Sequence, residues 1–173
     1  MLLLLVRHGI AEDLFDAQND DFSRALTGEG RDKTHRAALG LSRVVRKIDF
    51  LATSPRIRAK QTAQILRDVF GAQCAAPKVW DELGAHNLDG DELAGGDFAV
   101  LTRKLAALDA QTVAIVGHEP DLGLFAAQLL AGEAFFAMDF KKSGVCAIEV
   151  EWAANHAELQ FFLPPKILRK LAK

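Results

Sequence analysis

Cysteine is nearly absent from this sequence. The two present, Cys74 and Cys146, form neither a metal-ligand spacing nor a disulfide framework, and both read as small buried apolar residues. Surplus charge is missing as well: 21 Lys and Arg against 23 Asp and Glu leave a formal net charge of -2. A nucleic-acid binder that must neutralise many phosphates needs an excess of cations, so that class is set aside. No stretch approaches the ~20 apolar residues that span a bilayer. The opening MLLLLV has no basic region before it, is very short and is followed by no small-residue cleavage site, so it is not read as a signal peptide. The 5 prolines build no linker, and no internal repeat or low-complexity tract divides the chain. These absences leave one cytoplasmic domain over residues 1–173, expected to act as a monomer without a nucleic-acid or membrane partner.

What is present alternates between strand and helix patterns, which predicts an α/β fold of three layers, α/β/α, around a mainly parallel central sheet. Leu2 to Val6 is apolar on both faces and reads as a buried strand. An irregular acidic stretch, Glu12 to Asp21, follows. Thr27 offers an N-cap for a helix running to about Lys47. IDFLATS supplies a second strand, and Pro55 opens a second helix that ends near Gly71. A short strand is expected near PKVW, a loop over 81–97 and a helix from about Phe98 to Leu108. TVAIVGHEP repeats the opening theme, a buried strand ending in glycine and histidine, and Pro120 suits the first position of a helix to about Ala131. VCAIEVEW and ELQFFL predict two final antiparallel strands, and a basic tail follows Pro164 and Pro165.

In open α/β sheets ligands bind beyond the carboxyl ends of the strands. Three such ends carry polar groups: Arg7-His8, Ser54 and His118. RHG at 7–9 is a weak signal by itself, because three letters recur by chance, but it sits directly after a strand, and Gly9 is suited to a sharp turn. In SPRIRAKQTAQILRDVF, helical spacing puts Arg58, Thr62, Ile65 and Val69 on one largely apolar stripe. Arg56, Lys60 and Arg67 fall on another, read as a solvated face. Arg58 is then turned inward in the first turn of its helix, where unpaired N–H groups favour anions. An inward guanidinium needs a partner, either a structural carboxylate or a bound anion. His35, His86 and His156 fall in polar or turn contexts and read as surface residues.

Taken together, RHG at 7–9, SPRIRAKQTA at 54–63 and GHEPDL at 117–122 resemble the histidine phosphatase superfamily, also called phosphoglycerate mutase-like, over essentially the whole chain. The absence of a large cap insertion after the second helix makes it most similar to the SixA-type phosphohistidine phosphatases. The resemblance implies a metal-independent hydrolase without cofactor, in which His8 attacks phosphorus and carries a transient phosphoryl group. It implies that Arg7 and Arg58 grip the phosphate and that a cationic His118 completes the clamp. The chemistry suits these residues. A neutral imidazole, with a reference pKa near 6.5, is a ready nucleophile, and guanidiniums stabilise the equatorial oxygens.

Two substrate classes follow. An ester substrate needs a general acid for its alkoxide, for which Glu82 is the nearest candidate. A phosphohistidine on a protein relaxes that need, since its leaving imidazole matches the attacking one. Phosphohistidine is the expected substrate and a small phosphorylated metabolite the alternative. A phosphate-sensing module without catalysis is a third possibility. The basic tail, with Lys166, Arg169, Lys170 and Lys173, is most simply a solvated helix face.

Overall fold

A computed structural model describes residues 1–14, 20–84, 98–132 and 138–173. Six strands form one sheet in the order β3-β2-β4-β1-β5-β6, where β1 is Leu2–Arg7, β2 Phe50–Thr53, β3 Lys78–Val79, β4 Thr112–Gly117, β5 Val145–Glu151 and β6 His156–Leu163. β1 to β4 pair in parallel, while β5 and β6 are antiparallel, so the sheet is mainly parallel as the alternating pattern predicts. Leu3, Leu4 and Leu5 are wholly buried because β1 is central and covered on both faces.

The helices divide between those faces. Helices α1 (Gly28–Leu41), α2 (Ile57–Phe70) and α5 (Pro165–Leu171) contribute Ala37, Leu41, Leu66, Phe70 and Leu168 to a core with Leu4, Val6 and Ala114. Helices α3 (Phe98–Ala106) and α4 (Asp121–Ala131) contribute Leu101, Leu105, Leu122 and Phe125 to a second core with Leu3, Leu5 and Ile115. This is the expected α/β/α sandwich. Among the described residues no helix is long and apolar enough to cross a membrane.

Several boundaries differ from expectation. Thr27 does cap α1, its Oγ1 accepting from the Gly30 N–H at 2.9 Å, but the helix stops at Leu41 rather than near Lys47. There the Arg43 and Val44 N–H groups bond back to Gly40 and Leu41, a turn that lets Val45 and Ile48 enter the core before β2. Pro55 lies two residues ahead of α2, and Pro120 one ahead of α4, rather than inside their first turns. The core stripe of α2 runs through Ala59, Thr62, Ala63, Leu66 and Phe70, leaving Ile65 and Val69 half-buried at its edge. Cys74 and Cys146 are buried free thiols, and burial pushes them up to about 11 and about 12. His35 and His156 are exposed; His86 and most of the 81–97 loop lie outside the described residues.

Candidate functional site

Parallel pairing delivers the three strand ends to one place. The His8 N–H bonds to the Gly117 carbonyl at 3.1 Å, and the Ser54 N–H to the Val116 carbonyl at 2.9 Å. β1, β2 and β4 therefore finish side by side, and the residues just past them, His8, Ser54 and His118, share one cleft. The His8 and His118 rings sit 4.9 Å apart between centroids, both buried. Arg58 arrives from the first turn of α2 with its Nε 3.3 Å from His8 Nε2. Arg7, the last residue of β1, is held by an N–H bond from its guanidinium to the Phe140 carbonyl.

The glycine of RHG serves a close approach. A Cβ on Gly9 would lie 2.2 Å from Thr34 Oγ1, and the Gly9 N–H is bonded to Thr62 Oγ1 at 3.0 Å. Gly9 does not figure among the described glycines with positive φ, so room rather than a left-handed turn is what the position demands.

Hydrogen bonding fixes the state of His8. Its Nδ1 lies 2.7 Å from the Gly9 carbonyl, which can only accept, so Nδ1 carries the proton and Nε2 presents its lone pair to Arg58. Burial, reinforced by the charges of Arg58, Arg7 and Lys142, pushes the imidazole down to about 3 despite the favourable Gly9 bond. The ring is neutral and nucleophilic at neutral pH.

His118 is expected to be cationic beside a bound phosphate; the protein groups around it act the other way. Its Nε2 is 2.7 Å from the Ser54 hydroxyl, and burial, followed by His8, Arg58, Arg56 and Arg7, pushes it down to about 2. Burial, ahead of the neighbouring His8 ring and three guanidiniums, favours the neutral ring among these protein groups. It keeps a donor nonetheless. Either atom of the Ser54–His118 contact can be the donor; in the tautomer in which Ser54 donates to Nε2, the proton resides on Nδ1, which is buried and has no hydrogen-bond partner among the described residues. Arg7 Nε is in the same condition. Buried donors of this kind are costly unless something accepts from them, and a tetrahedral anion between Arg7, His8, Arg58 and His118 is suited to that task.

Three charged side chains act here in ways the sequence pattern did not reveal. Asp21, from the acidic stretch, bonds the Arg58 guanidinium through its carbonyl at 2.6 Å and its Oδ2 at 3.0 Å, and the same Oδ2 pairs with Arg56. It also pairs with Arg24 through Oδ1 at 2.6 Å. Arg58 is thus pinned by a structural carboxylate while its Nε faces His8. Arg56, expected on a solvated face, is 7% exposed. It precedes α2 in extended conformation, so helical periodicity does not govern it, and its guanidinium turns back onto Asp21.

The third is Glu119, directly after His118. Burial pushes its carboxyl up to about 7, against the opposing charge of Arg7 and a 3.3 Å bond from the Phe140 N–H. Glu82 behaves oppositely. It lines the same small cavity as His118 and Asp121, but Lys104 Nζ sits 2.7 Å from its Oε1 and holds the carboxyl below the usual range.

Residues 3–95 match the histidine phosphatase superfamily (branch 1). The chain belongs to that superfamily. It is 37% identical over 170 residues to an uncharacterized protein of Picosynechococcus sp. strain PCC 7002, spanning 94% of each. Its fold is similar to the protein histidine phosphatase SixA, solved in complex with tungstate, at TM-score 0.79 and 25% identity over 97% of this chain and 99% of that one. The putative SixA of Agrobacterium tumefaciens and a putative alpha-ribazole-5'-P phosphatase of Escherichia coli share the fold. Each has TM-score 0.70 and 20% identity over 95% of this chain and 98% of the other.

Proposed function

We propose that the chain hydrolyses phosphohistidine on proteins, with His8 as the transient phosphoryl carrier. His8 Nε2 attacks phosphorus as the bond to the substrate imidazole breaks, and that imidazole, protonated on its distal nitrogen, leaves neutral. Phospho-His8 keeps its Nδ1 proton, and the positive charge gained by the ring is stabilised by the Gly9 carbonyl. Water then attacks phosphorus, Nε2 regains its lone pair and inorganic phosphate departs with the water's proton released to solvent. Arg7 and Arg58 hold the equatorial oxygens, and the His118 Nδ1–H donates a third bond. Alignment and charge stabilisation are most of what phosphoryl transfer requires.

The observation that carries the substrate class is the state of Glu82. An alkoxide leaving group needs an acid free to deliver a proton, and Glu82 is engaged instead in an ion pair with Lys104 at 2.7 Å. The likeness to SixA points the same way. One observation favours the second reading, a phosphomonoesterase for a small metabolite: Glu119, pushed up to about 7, is a carboxyl able to hold a proton at neutral pH.

Kinetics on a phosphohistidine peptide and on a small alkyl phosphate separate the two. The peptide is expected to turn over faster, Glu82→Gln to leave its hydrolysis intact, and Arg58→Ala to lower it ~100- to 1000-fold. A label trapped on the enzyme should be acid-labile, alkali-stable and absent from His8→Ala. If the ester is instead preferred and Glu119→Gln abolishes its turnover, the phosphomonoesterase is the correct assignment.

A further inference from the structure

Beside the cleft lies a groove of about 400 Å³ lined by Arg7, Lys33, Lys141, Lys142 and Arg169 together with Ser143. A water molecule's share of volume is about 30 Å³, so the groove accommodates far more than one phosphate group. Arg7 belongs to both the groove and the phosphate cleft, so the two are continuous.

Three separate elements build this surface, and each is tied to the site. The Lys141–Ser143 turn is stapled to the end of β1: the Ser143 N–H bonds to the carbonyls of Arg7 and His8 at 3.1 Å each, and the Arg7 N–H bonds to the Gly144 carbonyl at 3.1 Å. Ser143 accepts a positive φ of 65° to do so, and its hydroxyl meets Thr34 of α1 at 2.8 Å. Lys33 is the neighbour of Thr34. Arg169 comes from α5, which lies so close on α1 that a Cβ on Gly40 would sit 1.8 Å from the Leu168 carbonyl. Of the basic tail, read as a solvated helix face, one cation, Arg169, lines this groove.

The charges are only partly answered locally. Glu29 pairs with Lys33 and Asp139 with Lys141, while Arg7, Lys142 and Arg169 have no ion pair among the described residues. In a chain of net charge -2 this excess is a local arrangement rather than a general one. Burial, with the charges of Arg7 and Arg24 and against the attraction of Asp13, also lowers the proton affinity of Lys142, a stress that an incoming anion relieves.

We propose that this groove docks an acidic segment flanking the phosphorylated histidine of a substrate protein. The inference rests on the phosphohistidine reading and adds to it a rule for which proteins are chosen. Complementary charge beside a reaction site raises encounter rates and lets salt weaken them.

The test uses synthetic single-histidine peptides phosphorylated with phosphoramidate, flanked either by Asp and Glu or by Ser and Gly. At low salt kcat/KM is expected to favour the acidic peptide about tenfold, with the advantage shrinking as salt rises. Lys33→Glu combined with Arg169→Glu should remove that preference while the hydrolysis of phosphoramidate itself stays unchanged, which also reports on folding. Lys33→Ala with Arg169→Ala should give an intermediate loss. Equal rates on both peptides at every salt concentration overturn the docking surface and leave the phosphohistidine assignment standing. Failure on both peptides alongside brisk ester hydrolysis overturns both. Binding of phosphatidylserine vesicles through Lys33 and Arg169, with no discrimination between peptides, also overturns the proposal.

Discussion

Asp21 shows how one side chain governs several. Its carboxylate is shared by Arg24, Arg56 and Arg58, and burial together with Arg56 and Arg24 already lowers Arg58 to about 10. Replacing it as Asp21→Asn takes one counter-charge from these guanidiniums, although Asp20 and Asp121 still attract Arg56. A fully buried pair broken in this way costs about 3–5 kcal/mol. Asp21 is 35% exposed, so solvent screening reduces the expected loss to about 1–2 kcal/mol. Phosphate should then compensate, because an anion in the cleft supplies the charge the variant lacks. In thermal unfolding the rise in Tm with added phosphate is expected to be larger for Asp21→Asn than for the parent; equal rises would show that Asp21 is not coupled to the anion site. Residues of this kind are the hard ones to read from sequence. His8, Arg58 and His118 announce themselves by position, at strand ends or on an inward helical stripe. Asp21, Arg56 and Glu119 matter through partners distant in the chain or through burial, and neither leaves a local pattern.

Among the elements, legibility follows the same division between local and long-range causes. The strands other than β3 and the cap of α1 were readable because apolar runs and Thr27 act within a few residues; β3, two exposed residues, was legible only as the short PKVW stretch. The early stop of α1 was not, since it depends on Val45 and Ile48 turning into the core. Nor was the docking of α5 against α1, for which Gly40 is the structural signature. In an exposed helix Gly→Ala gains about 1 kcal/mol. At Gly40 the new methyl would meet the Leu168 carbonyl at 1.8 Å, and the two helices must separate. Gly40→Ala is expected to destabilise by about 1–3 kcal/mol in denaturant unfolding. Gly28→Ala, at the start of the same helix with nothing within 4 Å, should be neutral or slightly stabilising. A neutral Gly40→Ala would show that α5 does not rest on α1 as described.

For the whole molecule, the buried titratable groups set how stability varies with acidity. His8 and His118 are neutral in the fold, down at about 3 and about 2, yet take protons near pH 6.5 once unfolded. Across that interval the unfolded chain binds more protons, so their contribution to stability falls as pH drops from about 6.5. Glu119 works in the opposite direction. It holds a proton up to about pH 7 when folded and releases it near 4.5 when unfolded, so its contribution falls as pH rises through that window. At about pH 5.5 the unfolded state carries nearly two extra protons on the histidines and lacks the one on Glu119, a net difference of roughly one proton. These three groups together should therefore lower the unfolding free energy toward acid by about 1.4 kcal/mol per pH unit near that point. Glu119→Gln removes the opposing group, and the slope should approach twice that value. Denaturant unfolding between pH 5 and 7.5 measures both slopes. A flat profile in the parent would mean that the two histidines are not held neutral, and an unchanged slope in Glu119→Gln would mean that this carboxyl titrates in the fold as it does in water.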